Sequence, residues 1–238
     1  MYTFESTVRY SECDEHCRLS LVSLINYLQD CSTFHTESLG LGIEHMASHH
    51  FAWLLAAWQI QILEIPRFCD RITVGTWCYD MKRTLAQRNF QICNKEGMPL
   101  VKADSLWFTF DTLEGRPIRI PESEYAYLSD EPRLDMPPTK RKLKVAGDWI
   151  AASPITVNES HLDTNQHVNN AQYVLMALEA LGRKLSPNVI RVQYRIQARL
   201  GDVLYPRLYP QERGWAVELC RSDGDAYAVV EMEAGGLA

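Results

Sequence analysis

The chain has 238 residues, of which 46% are hydrophobic and 23% are charged, and its formal net charge is −6. These values describe an ordinary globular protein with a sizeable core, in one large or two small domains. The acidic balance disfavours a nucleic-acid partner. We expect neither a signal peptide nor a membrane span, because no basic segment precedes an apolar run and no stretch of about 18 apolar residues occurs. The seven scattered cysteines are most simply reduced thiols of a cytoplasmic protein.

The first half of the chain has the pattern of one helix followed by several strands. Apolar residues at helical spacing predict a helix over residues 21–39, with Leu21, Leu24 and Leu28 on one face. Four strands are predicted after it, at residues 55–63, 70–79, 85–93 and 101–110. The segment 94–97 has the composition of a turn between the last two.

Residues 121–148 have the composition of a linker. This segment is rich in proline and charge and shows no apolar periodicity. It also contains a basic run, which consists of Lys140, Arg141, Lys142 and Lys144. We therefore predict two domains, at 1–120 and 149–238, joined by this linker.

The second half repeats the order of the first. A helix is predicted over residues 170–181, and it is apolar nearly all round, as a buried helix is. The segment 190–200 alternates apolar and polar residues without a break, which predicts one long strand. Further strands are predicted at residues 203–209, 215–221 and 227–233, the last two joined by a hairpin turn at 222–225. One buried helix followed by antiparallel strands predicts an α+β domain in which the sheet wraps around the helix.

The stretch just before the second helix carries an acid, an amide and an imidazole at alternate positions. Asp163, Asn165 and His167 would share one side of the chain if this stretch were extended. Asn169 or Asn170 can cap the helix, whose first N–H groups carry a partial positive charge. Such an arrangement can polarise a carbonyl and activate a water molecule. The structural alternative is a polar turn whose side chains only cap the helix.

This stretch reads Asp-x-Asn-x-His-Val-Asn-Asn from Asp163 to Asn170, with Tyr173 shortly after. It resembles the active-site loop of the acyl-acyl-carrier-protein thioesterases, which are built from two tandem hotdog domains. The resemblance extends along most of the chain as two copies. It implies a double hotdog fold, hydrolysis of an acyl-acyl-carrier-protein thioester to a free fatty acid, and no cofactor.

The two copies differ at the positions that matter for chemistry. Aligning Asp14 with Asp163 places His16 opposite Asn165 and Arg18 opposite His167. The first copy therefore has the loop without the imidazole–amide pair. The resemblance implies instead that this copy holds the acyl chain, with Trp53 and Trp58 as candidate contacts, although an ordinary core is the more common explanation for any single tryptophan.

The resemblance assigns roles to the loop residues of the second copy. His167 is the expected base, Asn165 holds the thioester carbonyl or a water, and Asp163 fixes the tautomer of His167, anchors the loop or itself serves as the base. Backbone N–H groups at the start of the helix are the expected oxyanion donors. These substrate-binding positions are Val168, Asn169 and Asn170.

One departure from the family bears on the mechanism. Plant members have Glu and Cys where this chain has Gln197 and Ala198. A thiolate nucleophile is excluded at that position, so we predict direct attack by water, which Gln197 can help to orient. The departure also favours a rival interpretation, in which the protein is a catalytically weak acyl-binding module. A nearer rival is a hotdog thioesterase that acts on acyl-coenzyme A.

The distribution of charge suggests which residues would contact a protein partner. Acyl carrier protein is acidic, so the basic run at 140–144 together with Arg133 could speed its encounter, although a solvated linker explains these residues as well. Arg183 and Lys184 are the second candidates. A homodimer is compatible with the sequence, but a double hotdog already supplies the pairing that single hotdogs obtain by dimerising. No metal is expected, since the segment 13–17 with His16 lacks a second compact pair of ligands.

Overall fold

The computed structural model describes residues 1–183 and 185–234, and the chain divides into two compact units. Unit 1 is Met1–Thr139 and unit 2 is Lys140–Ala238. The division falls inside the predicted linker. All seven cysteines are free, and among the described residues no helix is both long enough and apolar enough to cross a membrane.

Unit 1 is one antiparallel sheet with a long helix. Its helices are α1 (Leu21–Ser38) and α2 (Ile43–Ser48). Its strands are β1 (Tyr2–Thr7), β2 (Phe51–Ile62), β3 (Arg71–Lys82), β4 (Leu85–Asn94), β5 (Pro99–Asp111) and the short β6 (Arg116–Pro117). Hydrogen bonding gives the order β1-β3-β4-β5-β2, with β6 beside β5. The four predicted strands and the turn at 94–97 are confirmed, whereas β1 was not predicted.

The predicted helix at 21–39 is confirmed to within one residue by α1. Ser20 caps it, because its side chain accepts a hydrogen bond from the Ser23 N–H. The apolar face carries Leu24 and Leu28, both buried, and packs against the sheet at β3 and β1. Burial of such a face stabilises a helix more than its intrinsic propensity does.

Unit 2 has the same plan. Its helix is α3 (Asn170–Ala180), and its strands are β7 (Ile150–Ala151), β8 (Ile155–Thr156), β9 (Pro187–Tyr194), β10 (Val203–Gln211), β11 (Gly214–Cys220) and β12 (Ala226–Ala234). The antiparallel order is β9-β12-β11-β10-β7, and β8 pairs with another part of β10. Helix α3 packs on β10, β11 and β12. The hairpin between β11 and β12 is closed by the Arg221 N–H, which donates to the Asp225 carbonyl. The α+β prediction is therefore confirmed for both units.

The predicted strand over 190–200 is wrong beyond residue 194. Strand β9 ends at Tyr194, and the N–H groups of Arg195 and Ile196 both donate to the carbonyl of Tyr227. After this shared acceptor the chain leaves the sheet. The alternation of apolar and polar residues continues past the end of the pairing, so it could not locate that end.

The part of the predicted linker that belongs to unit 1 is held against the sheet. The Leu134 N–H donates to Asn89 Oδ1 at 2.8 Å, and the Thr139 N–H donates to Asp104 Oδ2 at 2.7 Å. Asn89 and Asp104 are buried on adjacent strands. Because buried polar groups need partners, these bonds keep the segment in place.

Candidate active site

Residues 163–167 of unit 2 form a closed turn. The Asp163 N–H donates to the His167 carbonyl at 2.8 Å, and the Gln166 N–H donates to the Asp163 carbonyl at 3.1 Å. Gln166 has a φ of 61°, in the left-handed region, which such a reversal requires. The expectation of an extended loop is therefore wrong. Backbone hydrogen bonds across the turn, and not the two-residue period of a strand, bring its residues together.

The carboxylate of Asp163 holds this turn from within. Its Oδ1 accepts hydrogen bonds from the N–H groups of Asn165 at 2.8 Å and of His167 at 3.3 Å. Hydrogen bonds to an ionised acceptor are stronger than those between neutral groups. Asp163 is therefore the anchor of the loop, which is one of the roles expected for it.

Unit 1 repeats the same turn with different chemistry. Asp14 Oδ1 accepts from the N–H groups of His16 and Arg18, both at 2.9 Å, and Cys17 has a φ of 56°. Asp14 Oδ2 accepts from the Arg18 guanidinium at 3.1 Å. The alignment of Asp14 with Asp163 is thus confirmed bond by bond. The aspartate keeps these bonds where the imidazole–amide pair is absent, so anchoring the loop is by itself enough to account for its geometry.

His167 is half-buried, and its Nδ1 is enclosed without a hydrogen-bond partner within the described residues. Asp163 therefore does not fix the histidine tautomer through Nδ1, and of the roles expected for it the structure shows the anchoring of the loop. Burial lowers the pKa of His167 below its ordinary value, and the positive charge of Arg199 lowers it further, while the charge of Asp163 opposes both. The imidazole is neutral at neutral pH, so it can accept a proton.

The Asn165 side chain is exposed at the tip of the turn. Its backbone N–H donates to Asp163 Oδ1, which fixes the position of the residue on the turn. An amide in this position can donate to a carbonyl oxygen or bind a water. The structure therefore places an exposed amide and a neutral imidazole two residues apart on one anchored turn.

Two of the predicted oxyanion donors are engaged within the protein. The Val168 N–H donates to the Ala198 carbonyl and the Asn169 N–H to the His161 carbonyl, both at 2.9 Å. The prediction of oxyanion donors at Val168 and Asn169 is therefore wrong for this conformation. Asn169 is instead the cap of α3, since its Oδ1 accepts from the Ala171 N–H at 2.8 Å.

Gln197 lies in the segment that leaves the sheet. The Ala198 N–H donates to the Tyr173 hydroxyl at 2.8 Å, and the Ala198 carbonyl accepts from Val168. These two bonds draw the segment away from the strand and join it to the residue after His167. Gln197 is exposed there and lies outside any strand, although the alternation over residues 190–200 had predicted a strand at this position.

Sequence reasoning missed two residues that shape the site. Tyr173 is buried and ties α3 to the segment of Gln197, and Arg199 acts electrostatically on His167. Tyr173 was visible as part of the loop motif, although without a role. No feature of the sequence pointed to Arg199, because its effect on His167 depends on the chain leaving the sheet after β9.

The two candidate acyl contacts lie on β2 of unit 1. Trp53 is partly buried, and its Nε1 donates to Glu124 Oε2 at 2.7 Å. Trp58 is buried, with its ring 4.9 Å from that of Phe90. Both belong to the interior of the unit.

Leu143, inside the basic run, anchors the run to the rest of unit 2. Leu143 is buried against Cys220 and Val229, and its N–H donates to Gln193 Oε1 at 3.1 Å. The charged members of the run are exposed, namely Lys140, Arg141, Lys142 and Lys144. The run is therefore a fixed basic surface of unit 2.

The second candidates for carrier binding are only partly described. The Arg183 guanidinium lies 4.7 Å from the centre of the Trp215 ring. Lys184 lies outside the described residues. Arg133, named with the basic run, stacks over Tyr79 in unit 1.

Each unit packs a long helix against an antiparallel sheet, and the same aspartate-anchored turn precedes the helix in both. This duplicated arrangement defines a protein of the tandem hotdog class. Models of the N-terminal and C-terminal domains of acyl-ACP thioesterases match residues 1–128 and 148–228. The chain belongs to the acyl-ACP thioesterase family.

Relatives agree with this assignment. A chloroplastic palmitoyl-acyl carrier protein thioesterase of Gossypium hirsutum is 28% identical over 189 residues, which are 73% of this chain and 45% of that protein. The chain thus spans less than half the length of this curated relative. Among solved structures, an acyl-ACP thioesterase from Bacteroides thetaiotaomicron has a TM-score of 0.87 at 24% identity, covering 98% of this chain and 97% of its own. A 12:0-ACP thioesterase from Umbellularia californica has a TM-score of 0.80 at 21% identity, with coverages of 98% and 97%. These two likenesses show the fold.

Proposed function

We propose that this protein hydrolyses acyl-acyl-carrier-protein thioesters and releases free fatty acids. The observation that carries this proposal is that the neutral, partly buried imidazole of His167 and the exposed Asn165 belong to one turn, which Asp163 anchors. Membership in the acyl-ACP thioesterase family supports the same reaction. The proposed contacts of the acyl chain are Trp53 and Trp58.

The reaction is a direct addition of water. His167 accepts a proton from the water as its oxygen bonds to the thioester carbonyl carbon. The Asn165 amide donates to the carbonyl oxygen as negative charge develops on it, a role that the engaged N–H groups of Val168 and Asn169 leave open. The carbon–sulfur bond then breaks, and the imidazolium returns its proton to the leaving thiolate. The acid and the carrier thiol are the products.

No covalent intermediate is required. Ala198 has no nucleophilic atom, and it is buried with its backbone bonded to Val168 and Tyr173. Gln197 is exposed on the same segment and can hold the attacking water by a hydrogen bond, although it cannot take its proton.

The carrier is tested by presenting one acyl group in two forms. We expect kcat/KM for an acyl group on acyl carrier protein to exceed that for the same group on coenzyme A by at least about tenfold, because the fixed basic run favours an acidic protein partner. Raising the salt concentration should reduce this preference, since exposed charges are screened. Equal rates on both carriers at low salt would favour the acyl-coenzyme A alternative.

The weak-binding alternative has specific support in Gln197, where plant family members carry a carboxylate. Gln197→Glu is expected to keep or raise kcat, because the side chain is exposed and a carboxylate there could assist in activating water. Gln197→Ala is the matched control for simple loss of the amide. A large fall in kcat for Gln197→Glu, measured on the same acyl carrier substrate, would show that this position is wrongly assigned.

A further inference from the structure

Unit 1 contains a buried guanidinium that has no carboxylate partner among the residues that the structure describes. Arg88 lies on β4 and is only 7% exposed. Burial lowers its pKa, and the groups that act on it electrostatically are Cys78, Tyr127 and Cys31, with no carboxylate of the described chain among them. An unpaired buried charge is costly and is therefore rare in protein interiors.

Within the described part of the chain, the side-chain partners of Arg88 are all neutral. Its Nη1 donates to His35 Nδ1 at 3.0 Å and to Thr76 Oγ1 at 3.3 Å, and its Cζ lies 5.3 Å from the centre of the Tyr127 ring. Burial, followed by the charge of Arg88, lowers the pKa of His35 to about 4, so this imidazole is uncharged at neutral pH. The dipoles and the aromatic face solvate the guanidinium, but they leave its charge uncompensated.

A second donor without an acceptor lies on the same face of the sheet. The Trp58 Nε1–H is enclosed and has no partner within residues 1–183 and 185–234. Trp58 is opposite Ser105 on the neighbouring strand, and Ser105 is opposite Arg88 on the next. Residues directly opposite each other project from the same side of a sheet. The Ser105 hydroxyl donates to the Arg88 carbonyl and accepts from the Trp107 Nε1–H at 2.7 Å, and it makes no hydrogen bond with Trp58.

The surroundings of these donors are apolar. Cys78 pairs with Arg88 across β3 and β4 and, with Tyr127, joins a buried cluster. The other members of this cluster are Leu41, Met81, Ala86 and Ile120. An aliphatic chain is compatible with such a lining, whereas a strongly hydrated anion is not.

We propose that the interior of unit 1 binds a carboxylate carried on an aliphatic chain, with Arg88 as the partner of the anion and Trp58 as a second hydrogen-bond donor. The planar fork of a guanidinium matches the two oxygens of a carboxylate. This site uses none of the residues of the turn at 163–167, and it does not rest on the proposed hydrolysis.

Calorimetric titration of the full chain with decanoate and with 1-decanol isolates the contribution of the carboxylate. The wild type is expected to bind decanoate at least about tenfold more tightly than the alcohol of equal length. Arg88→Met should abolish this preference. Arg116→Met should retain it, because it removes a positive charge from an exposed arginine of the same unit. Equal affinity of the wild type for both compounds, or an unchanged preference in Arg88→Met, would overturn the proposal.

The test does not depend on one variant. Replacing an unpaired buried charge with an apolar side chain is expected to leave the Tm of the free protein unchanged or raised. Should Arg88→Met fail to fold, Arg88→Lys carries the test, since lysine keeps the charge without the planar fork. Decanoate binding should weaken at least about threefold in Arg88→Lys, and an unchanged affinity would contradict the assigned geometry.

Kinetics distinguish the two sources of such a carboxylate. Inhibition of thioester hydrolysis by decanoate in the wild type but not in Arg88→Met identifies the released fatty acid as the ligand. A preference for acyl chains that end in a carboxylate over those that end in a methyl group, lost in Arg88→Met, identifies the substrate. Either outcome supports the site. If the wild type hydrolyses no thioester, the proposed function fails, and the calorimetric result still decides the site.

Discussion

His167→Ala is expected to lower kcat for acyl-acyl-carrier-protein hydrolysis by at least about 10², the usual contribution of a general base. The side chain supplies the only neutral imidazole on the anchored turn, and Asn165 cannot exchange protons in its place. Fold should be preserved, because the bonds that hold the turn are made by the backbone of residue 167 and not by its ring. Single-turnover measurement of acid release separates this chemical step from release of products.

The matched control lies in the homologous turn of unit 1. His16 is exposed, and its backbone N–H bonds to Asp14 as that of Asn165 bonds to Asp163. His16→Ala removes an imidazole from the same kind of turn, yet it should leave kcat unchanged. Equally slow hydrolysis by the wild type and His167→Ala would remove the enzyme interpretation and leave the acyl-binding module.

The pH profile supplies a second readout for His167. Protonation removes the base, so kcat/KM falls as pH drops through the pKa of His167 in the free enzyme. Because burial and then Arg199 lower this pKa below the ordinary value of 6.5, the acidic limb should lie below pH 6.5. The limb should be absent from the residual activity of His167→Ala.

Helices and most strands were predictable because local pattern and tertiary packing agree in them. The apolar face of α1 and the nearly uniform apolar surface of α3 both read directly as buried helices, and both formed within a residue or so of the expected bounds. The duplication was also predictable, since Asp14 and Asp163 stand at equivalent places in the two copies.

The geometry of the site was less predictable, since it depends on contacts between distant residues. Alternating residues suggested both an extended loop at 163–167 and a strand through residue 200. In each case a competing set of hydrogen bonds prevailed. The Asp163 carboxylate closes the turn by accepting backbone hydrogen bonds. The Tyr173 hydroxyl accepts from the Ala198 N–H, and the Val168 N–H donates to the Ala198 carbonyl. A period of two describes a side-chain pattern, but it cannot reveal which polar group will bind the backbone.

Asp163→Ala is expected to reduce kcat by at least about tenfold and to destabilise unit 2. Asp163→Asn is expected to retain most of the kcat and most of the stability of the wild type. The alanine variant leaves the N–H groups of Asn165 and His167 without their acceptor, and each such bond to a charged group contributes about 1.5–3 kcal/mol. The amide oxygen of asparagine can accept the same two bonds. Denaturant unfolding and kcat per folded molecule are the measurements.

Asp14→Ala distinguishes the anchoring role from a general effect on the protein. It removes the corresponding backbone acceptor in unit 1 together with the ion pair to Arg18, so it should also lower the free energy of unfolding. Activity per folded molecule should remain that of the wild type, because that turn lacks the imidazole–amide pair. If Asp163→Asn is as inactive as His167→Ala while remaining folded, the carboxylate acts on protons after all, since the asparagine preserves the hydrogen bonds and removes only the charge.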